Sequence, residues 1–491
     1  MGARKTKTES GSGLRNAGKR GKANTLPNGW SVSFLKDETT KAHFIEITFP
    51  TRGRESDSIQ IGAEERAEDL KVVRQLASRN ADLPEKRAEQ KALVQAVVAS
   101  APTNPVVLTS KPGFRGDDGF VMPNRSYGTA GGLYRWAEEA EPEGSLGQQS
   151  DSELQDYNRT VAQDALYSPY VSFGIMLALA GPLPTYVLTR SSGKVVPETA
   201  LFNIAGDTTT GKTLVAMAAA GACGSPNALI DWDTTMRGVS EACASRNDLV
   251  LVLDDTEKFP GDERELRKMV HALVQKIPGG RSKTIAKKAQ AGGLPPLTWS
   301  TFGLSTSTTT LYSLLDLARK PASGDRVRGL DIRVPKRSKG GIFGASVIGT
   351  DSTPENNGEA IKRLETALQE HYGVLFPAWI EHLLNKDLSD EILRRVALFV
   401  RKKVSKSDPV EQRIAKKFGL VYAAGRLAVD AGLLDWPESW ELCGEMGDGG
   451  VRRRRIVAVA KTARTSRRSD TPWRRLLPLS HSARSIRSMI H

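Results

Sequence analysis

Patterned sequence begins near Gly29. GWSVSF (29–34) and AHFIEITFP (42–50) are rich in β-branched and aromatic residues and are separated by a polar turn, which predicts two strands. Residues 63–100 carry apolar positions at helical spacing around an interruption at Leu83-Pro84, which predicts two helices. A Gly/Asp-rich run over 113–128 reads as a hairpin, and a polar loop follows over 138–156. The most apolar stretch, PYVSFGIMLALAGPLPTYVL (169–188), is broken by Pro182 and Pro184. Its uninterrupted helical part of roughly ten to twelve residues is short of the ~20 that span a bilayer, so a buried helix is expected and no membrane partner.

From 191 to 348 the pattern alternates. Strands are expected at 200–204, 227–231, 249–253 and 297–304, with a Gly-rich turn and helix after the first and helices at 235–245 and 262–276 between the others. Such alternation argues a mostly parallel sheet covered by helices. Residues 356–436 are helical throughout, and no repeat of fixed period is visible.

The length of 491 residues exceeds what one core usually supports. The net charge of +14 is concentrated at the ends: residues 1–24 hold seven Lys/Arg against Glu9, and residues 451–491 hold twelve against Asp470. The 426 residues between them carry about −3, so the overall basicity does not argue for a nucleic-acid-binding fold. Residues 1–27 read as a basic solvated tail without a secretory signal, although Gly2 and Thr6 fit the short N-myristoylation pattern. After 440 the Arg/Ser-rich sequence has two readings: a disordered or out-of-frame segment, or an arginine-rich nucleic-acid arm. Cys223, Cys243 and Cys443 are too few and too scattered for a disulfide scaffold or a zinc site, and a reducing cytoplasm is expected. His271 and His371 lack partners at metal spacing.

One motif carries chemistry. Gly206-Asp207-Thr208-Thr209-Thr210-Gly211-Lys212-Thr213 fits G-x-x-x-x-G-K-[ST], between an apolar strand and an Ala-rich helix. Its glycines let backbone N–H groups face phosphate oxygens, Lys212 reaches the β- and γ-phosphates, and the Thr213 hydroxyl ligates Mg²⁺. ATP with Mg²⁺ is therefore the expected cofactor. Leu249-Val250-Leu251-Val252-Leu253-Asp254-Asp255 supplies an acidic strand end 42 residues beyond Lys212, with Asp254 on the metal. Asp255 stands where a base for the attacking water is expected, and Glu257 is the alternative. Trp299 to Leu304 reads as a further strand, after which Ser305 could place a hydroxyl near the γ-phosphate; a plain Ser/Thr-rich loop is the other reading.

Arg319, Arg326 and Arg328 precede a strand at 330–334, and Arg328 is the first candidate for an arginine that reaches a neighbouring copy's nucleotide. Thr234 or Thr235 can cap the helix that follows. Arg281, Lys283, Lys287 and Lys288 form a Gly-flanked basic loop that either tracks a nucleic-acid backbone or is a solvated turn.

These segments resemble a bacterial and phage family, domain of unknown function 927, labelled "superfamily II helicase and inactivated derivatives". The resemblance covers roughly 28–436. It is carried by Gly113-Phe114 with Phe120-Val121-Met122-Pro123, Ala178 to Leu183, the glycine-rich loop, Trp232-Asp233-Thr234-Thr235 with Glu241 and Ala242, and Asn247-Asp248. Gly280 to Lys283, Trp299 to Ser305, Arg328 with Asp331-Ile332, and Phe418 with Ala423-Ala424-Gly425 complete it. The resemblance implies a mobile-element replication ATPase or helicase. Asp255 in place of Glu and Phe114 in place of Trp depart from the family pattern.

The expected architecture is α/β: a basic tail at 1–27, a family-specific α/β domain at 28–190, a P-loop core at 191–350, a helical domain at 351–440 and a basic tail at 441–491. The expected function is a Mg-ATP-driven, helicase-like motor acting on single- or double-stranded DNA as a homo-oligomer. The alternative is a nucleotide-binding regulator, or inactivated derivative, without appreciable turnover.

Overall fold

The computed structural model describes residues 26–437 except 54, 124, 138–145, 283–295, 317–322, 344–345, 348–349, 352–353 and 405–407, and in addition Leu442–Cys443 and Val459–Ala460. The chain divides into two units, Met1–Asp37 with Lys41–Val106 and Glu38–Thr40 with Val107–His491.

In the first unit β1 (Ser31–Asp37), β2 (His43–Pro50) and β3 (Ser56–Gly62) form an antiparallel sheet, with Phe34 opposite Ile45 and Ile47 opposite Ile59. Helices α1 (Asp69–Ser78) and α2 (Arg87–Ala99) contribute Val72, Leu76, Val94 and Val97 to a core with Ile45, Ile47, Phe49 and Ile61. The sequence reading omitted β3, SDSIQIG, which has only two apolar residues and becomes a strand through its pairing with β2.

β4 (Val106–Thr109) begins on the last residue of the first unit, and within the second its Val107, Leu108 and Thr109 pair in parallel with β8 (Tyr134–Trp136). Between them β5 (Gly113–Arg115), β6 (Gly119–Met122) and β7 (Arg125–Gly128) make a three-stranded meander where a hairpin was expected. Helical turns α3 (Leu154–Tyr157) and α4 (Gln163–Ala165) lead into α5 (Pro169–Ala180) and α6 (Leu183–Arg190). The Pro169–Arg190 run is long and apolar enough to cross a membrane, yet most of it is buried inside this unit.

The remaining elements build the central sheet. They are β9 (Leu201–Ala205), α7 (Lys212–Cys223), β10 (Ile230–Asp231), α8 (Met236–Ser245), β11 (Val250–Asp254), α9 (Glu263–Gly279), β12 (Phe302–Ser307), α10 (Leu311–Asp316), α11 (Ser323–Arg326) and β13 (Gly329–Arg333). The strand order is β10-β11-β12-β9-β13, and all four pairings are parallel. Near-continuous apolar strands fit a sheet covered on both faces. On one face Phe202, Val250, Val252 and Phe302 pack with α5 and α7; on the other Leu201, Leu251 and Leu253 pack with Val270, Val274 and Ile277 of α9.

The sheet departs from the sequence expectation in two places. The strand expected at 297–304 is shifted to Phe302–Ser307, because Trp299 is tied to the end of α9: its N–H donates to Gly280 O and its Nε1 to Ile277 O. The strand expected at 227–231 shrinks to Ile230–Asp231, since Ser225 turns Asn227 and Ala228 back on itself.

A helical region follows, with α12 (Pro354–Glu370), α13 (Leu375–Asn385), α14 (Ser389–Lys403) and α15 (Pro409–Asp430). Helix α5 is the hub. A Cβ on its Gly174 would lie 2.8 Å from Val215 O of α7, so that crossing needs glycine, and one on Gly425 of α15 would lie 2.4 Å from Met176 Sδ, so a side chain there would displace the methionine. Phe173, Phe202 and Phe418 meet edge-on with ring centroids 5.1 and 5.0 Å apart, tying α5, β9 and α15 together.

Candidate functional site

The 206–213 loop leaves the carboxyl end of β9 and runs into α7 at Lys212. In a parallel sheet this edge is where ligands bind. A Cβ on Gly206 would meet Val334 Cβ at 2.9 Å, and one on Gly211, at φ +92°, would meet Ile342 Cδ1 at 2.7 Å. Both glycines are therefore sterically required. The loop also closes on itself: Thr210 Oγ1 and Lys212 Nζ both donate to Asp207 O, at 2.9 and 2.8 Å. Thr208, Thr209 and Thr213 are exposed and Thr210 is buried.

Lys212 faces acidic company. Burial pulls its pKa below the usual lysine value, and the carboxylates of Glu257, Asp255, Asp207 and Asp254 act against that shift. Asp254 ends β11 and is itself buried. Thr306 Oγ1 of β12 donates to Asp254 Oδ1 at 2.7 Å and accepts from Asp255 N–H at 2.8 Å. Lys258 Nζ stands 3.8 Å from Asp254 Oδ2 and 2.7 Å from Oδ1 of Asp231, the register partner of Asp254 on β10. The Asp231 hydrogen bond raises the Lys258 pKa.

Asp255 sits at φ 62°, ψ 93°, a strained backbone for a residue with a side chain. Its carboxylate accepts from Glu257 N–H at 3.1 Å and so caps the turn Thr256–Lys258, while Glu257 itself is exposed.

The structure brings Lys212, Thr213, Asp254, Asp255 and Glu257 to one edge of one sheet. Ser305 is placed differently from the sequence reading. The shifted strand puts it inside β12 opposite Leu253, fully buried and with no hydrogen-bond partner among the described residues. Its neighbour Thr306 holds the acidic strand end instead.

Arg328 immediately precedes β13, level with the start of β9, at the edge of the sheet opposite the glycine-rich loop. Its guanidinium donates to Gln275 Oε1 at 2.8 Å. That position excludes contact with its own loop. Arg319, Lys283, Lys287 and Lys288 lie outside the described residues, whereas Arg281 bridges to Thr298 beyond the end of α9. Thr235 caps α8, accepting from Gly238 N–H at 3.1 Å.

Sequence reasoning missed a buried polar network beside the loop strand. Asn203 Nδ2 donates to Ser307 Oγ at 2.9 Å and to Asp331 Oδ1 at 2.8 Å, and Asp331 accepts the N–H groups of Leu311 and Tyr312 at 2.8 and 3.0 Å. Burial raises the Asp331 pKa. An asparagine inside the apolar run LFNIA was the available signal. Among the described residues no cluster of His, Cys, Asp and Glu could by itself hold a metal ion. A metal here would need Asp254, the Thr213 hydroxyl and ligand oxygens, a hard-oxygen set that suits Mg²⁺.

The site is thus a glycine-rich loop, a lysine and an acidic strand end at the carboxyl edge of a parallel α/β sheet. The chain belongs to the family described as Domain of unknown function (DUF927), whose model matches residues 32–291. A solved structure described as "SCCmec type IV Cch - active helicase" superposes with a TM-score of 0.56 at 12% identity, covering 83% of this chain and 71% of that one. NtrX from Brucella abortus in complex with ADP matches at a TM-score of 0.21 and 12% identity, over 50% of this chain and 65% of that one, and carries no argument. No curated protein matches the chain.

Proposed function

We propose that the protein is a P-loop ATPase that binds Mg-ATP at the 206–213 loop and couples hydrolysis to movement on DNA. The observation that carries the reading is the convergence of Lys212 with Asp254 at one sheet edge, where Thr306 holds the carboxylate. Lys212 and the loop N–H groups would bind the phosphates, and Asp254 with Thr213 would hold the ion, which when bound would supply positive charge against the transferring phosphoryl group. Glu257 is exposed at the same edge and is the better placed of the two carboxylates to orient water, because Asp255 is spent on its own turn. The DNA part rests on likeness of fold, which is analogy. In trans, Arg328 would serve a neighbouring copy.

A specific observation favours a second reading: the strained, turn-capping Asp255 fits a nucleotide-dependent regulator with negligible turnover. ATP hydrolysis measured with and without single-stranded DNA separates the two. The motor reading expects DNA-stimulated turnover that Lys212→Ala abolishes, and ATP binding without turnover selects the regulator. Absence of nucleotide binding refutes both.

A further inference from the structure

After β13 the chain folds back over the glycine-rich loop. Val334 N–H donates to Ala205 O at 2.7 Å and Ile342 N–H to Thr210 O at 3.2 Å. Gly341, at φ +57°, lies so near the Thr210 carbonyl that a Cβ would stand 2.8 Å from its oxygen. Behind this strap Tyr170 Oη donates to Arg333 O, Ser168 Oγ to Ile342 O and Asn357 Nδ2 to Gly340 O. Both its ends are therefore fixed against the loop.

At the first end stands Arg333 and between the ends lie Lys336, Arg337 and Lys339, all four exposed, with no carboxylate from 332 to 343. None of the four makes a side-chain hydrogen bond or ion pair among the described residues. The rest of the sheet edge is acidic: Asp207, Asp231, Asp254, Asp255 and Glu257 stand against Lys212 and Lys258, and Lys258 is already engaged by Asp231. A polyphosphate remains negative even with one divalent ion bound, so the glycine-rich loop and Lys212 among these carboxylates leave it in a repulsive field. Cations on a strap hydrogen-bonded to the loop correct that balance.

We propose that the 333–339 strap is a second phosphate-binding element, whose Arg333, Lys336, Arg337 and Lys339 contact the polyphosphate of the nucleotide held by the 206–213 loop. This rests on the nucleotide reading above and extends it to residues outside the motif. Backbone hydrogen bonds already hold the strap beside the loop at Val334 and Ile342, so its cations would engage the ligand without reorganising the loop.

The test is equilibrium titration of the full chain with a fluorescent ATP analogue and Mg²⁺, comparing wild type, Lys336→Ala/Arg337→Ala/Lys339→Ala, Arg333→Ala and the charge-keeping Lys336→Arg/Arg337→Lys/Lys339→Arg. Loss of charge-assisted contacts is expected to weaken binding about tenfold or more in the alanine variants. The charge-keeping variant should stay within about threefold of wild type, because position and charge are retained. Unchanged ATP affinity in both alanine variants overturns the proposal, as does a loss that the charge-keeping variant fails to restore. Loss of single-stranded DNA binding with ATP affinity intact also overturns it and assigns the strap to nucleic acid. Failure of the nucleotide reading is distinguishable, since the wild type itself would then bind no ATP analogue.

Discussion

Two adjacent hydroxyls on β12 offer a decisive comparison. Thr306 Oγ1 donates to the buried Asp254 carboxylate and accepts from Asp255 N–H, whereas Ser305 Oγ is buried with no partner among the described residues. Thr306→Val keeps the shape but removes a donor to a charged group, at about 1.5–3 kcal/mol, and strands the Asp255 N–H, at about 1–3 kcal/mol. The two share one site and are not additive, so a loss of about 3 kcal/mol is expected. Ser305→Ala removes an oxygen already desolvated without return, and stability should stay within about 0.5 kcal/mol of wild type or rise. Urea unfolding reads both, provided the slope is unchanged and only the midpoint moves. In addition, Thr306→Val should require more Mg²⁺ for ATP binding, because Asp254 loses the bond that aims it. A Ser305→Ala variant less stable than Thr306→Val would refute the reasoning and return Ser305 to the functional position that its sequence context first indicated.

Lys212→Ala should weaken ATP binding at least about tenfold in a fluorescence titration while leaving the urea midpoint nearly unchanged, since among the described residues its ammonium hydrogen-bonds only Asp207 O of its own loop. Gly211→Ala should impair both folding and binding, because φ +92° is strained for alanine and its Cβ would collide with Ile342; reduced yield and lost ATP affinity check it. Asp248, fully buried and bonded by Thr185 and by Phe114 N–H, has its carboxyl pushed up to about 6 by burial. The folded protein thus keeps a proton that the unfolded chain sheds near pH ~4, so stability should fall as pH rises from about 4 to about 6 and be level above. Asp248→Asn should lack that fall when urea midpoints are compared across the window.

The loop and the acidic strand end stand out in the local sequence because each is a contiguous pattern, G-x-x-x-x-G-K-[ST] in one case and an apolar run ending in two aspartates in the other. Gly206 and Gly211 are fixed by Val334 and Ile342, which stand about 130 residues away in the chain, yet the need for glycine shows in the motif itself. The long buried helix was readable for a similar reason: α5 is apolar on every side because α7 and α15 cover it. What local pattern could not show was strand phase. TFGLSTSTTT contains two apolar residues that start a strand but nothing that ends it, so the hydroxyl residues read as a loop. Their inclusion in β12 comes from pairing with β9, where Thr306 lies opposite Ile204 and Ser307 opposite Ala205. In a strand, one step of phase exchanges the two faces. That step decides that Thr306, and not Ser305, reaches Asp254.

The same dependence on pairing explains why the strap escaped notice. VPKRSKGGIF has the composition of a solvated basic turn, the reading that any such segment earns in isolation. It acquires a different meaning only because β13 lies beside β9, which brings Val334 onto Gly206 and Ile342 onto Gly211. Charge that is diffuse along the chain is thereby gathered beside five carboxylates at one edge. The near-neutral middle of the sequence accordingly conceals a separation of sign: the acidic side is built from the ends of β10 and β11, and the basic side from the exit of β13, with the strand carrying the glycine-rich loop between them in the sheet order. On the proposed nucleotide reading, such a divided edge would accommodate an anionic ligand that carries a divalent cation, with Asp254 available to the metal and Lys212 and the strap to the phosphates.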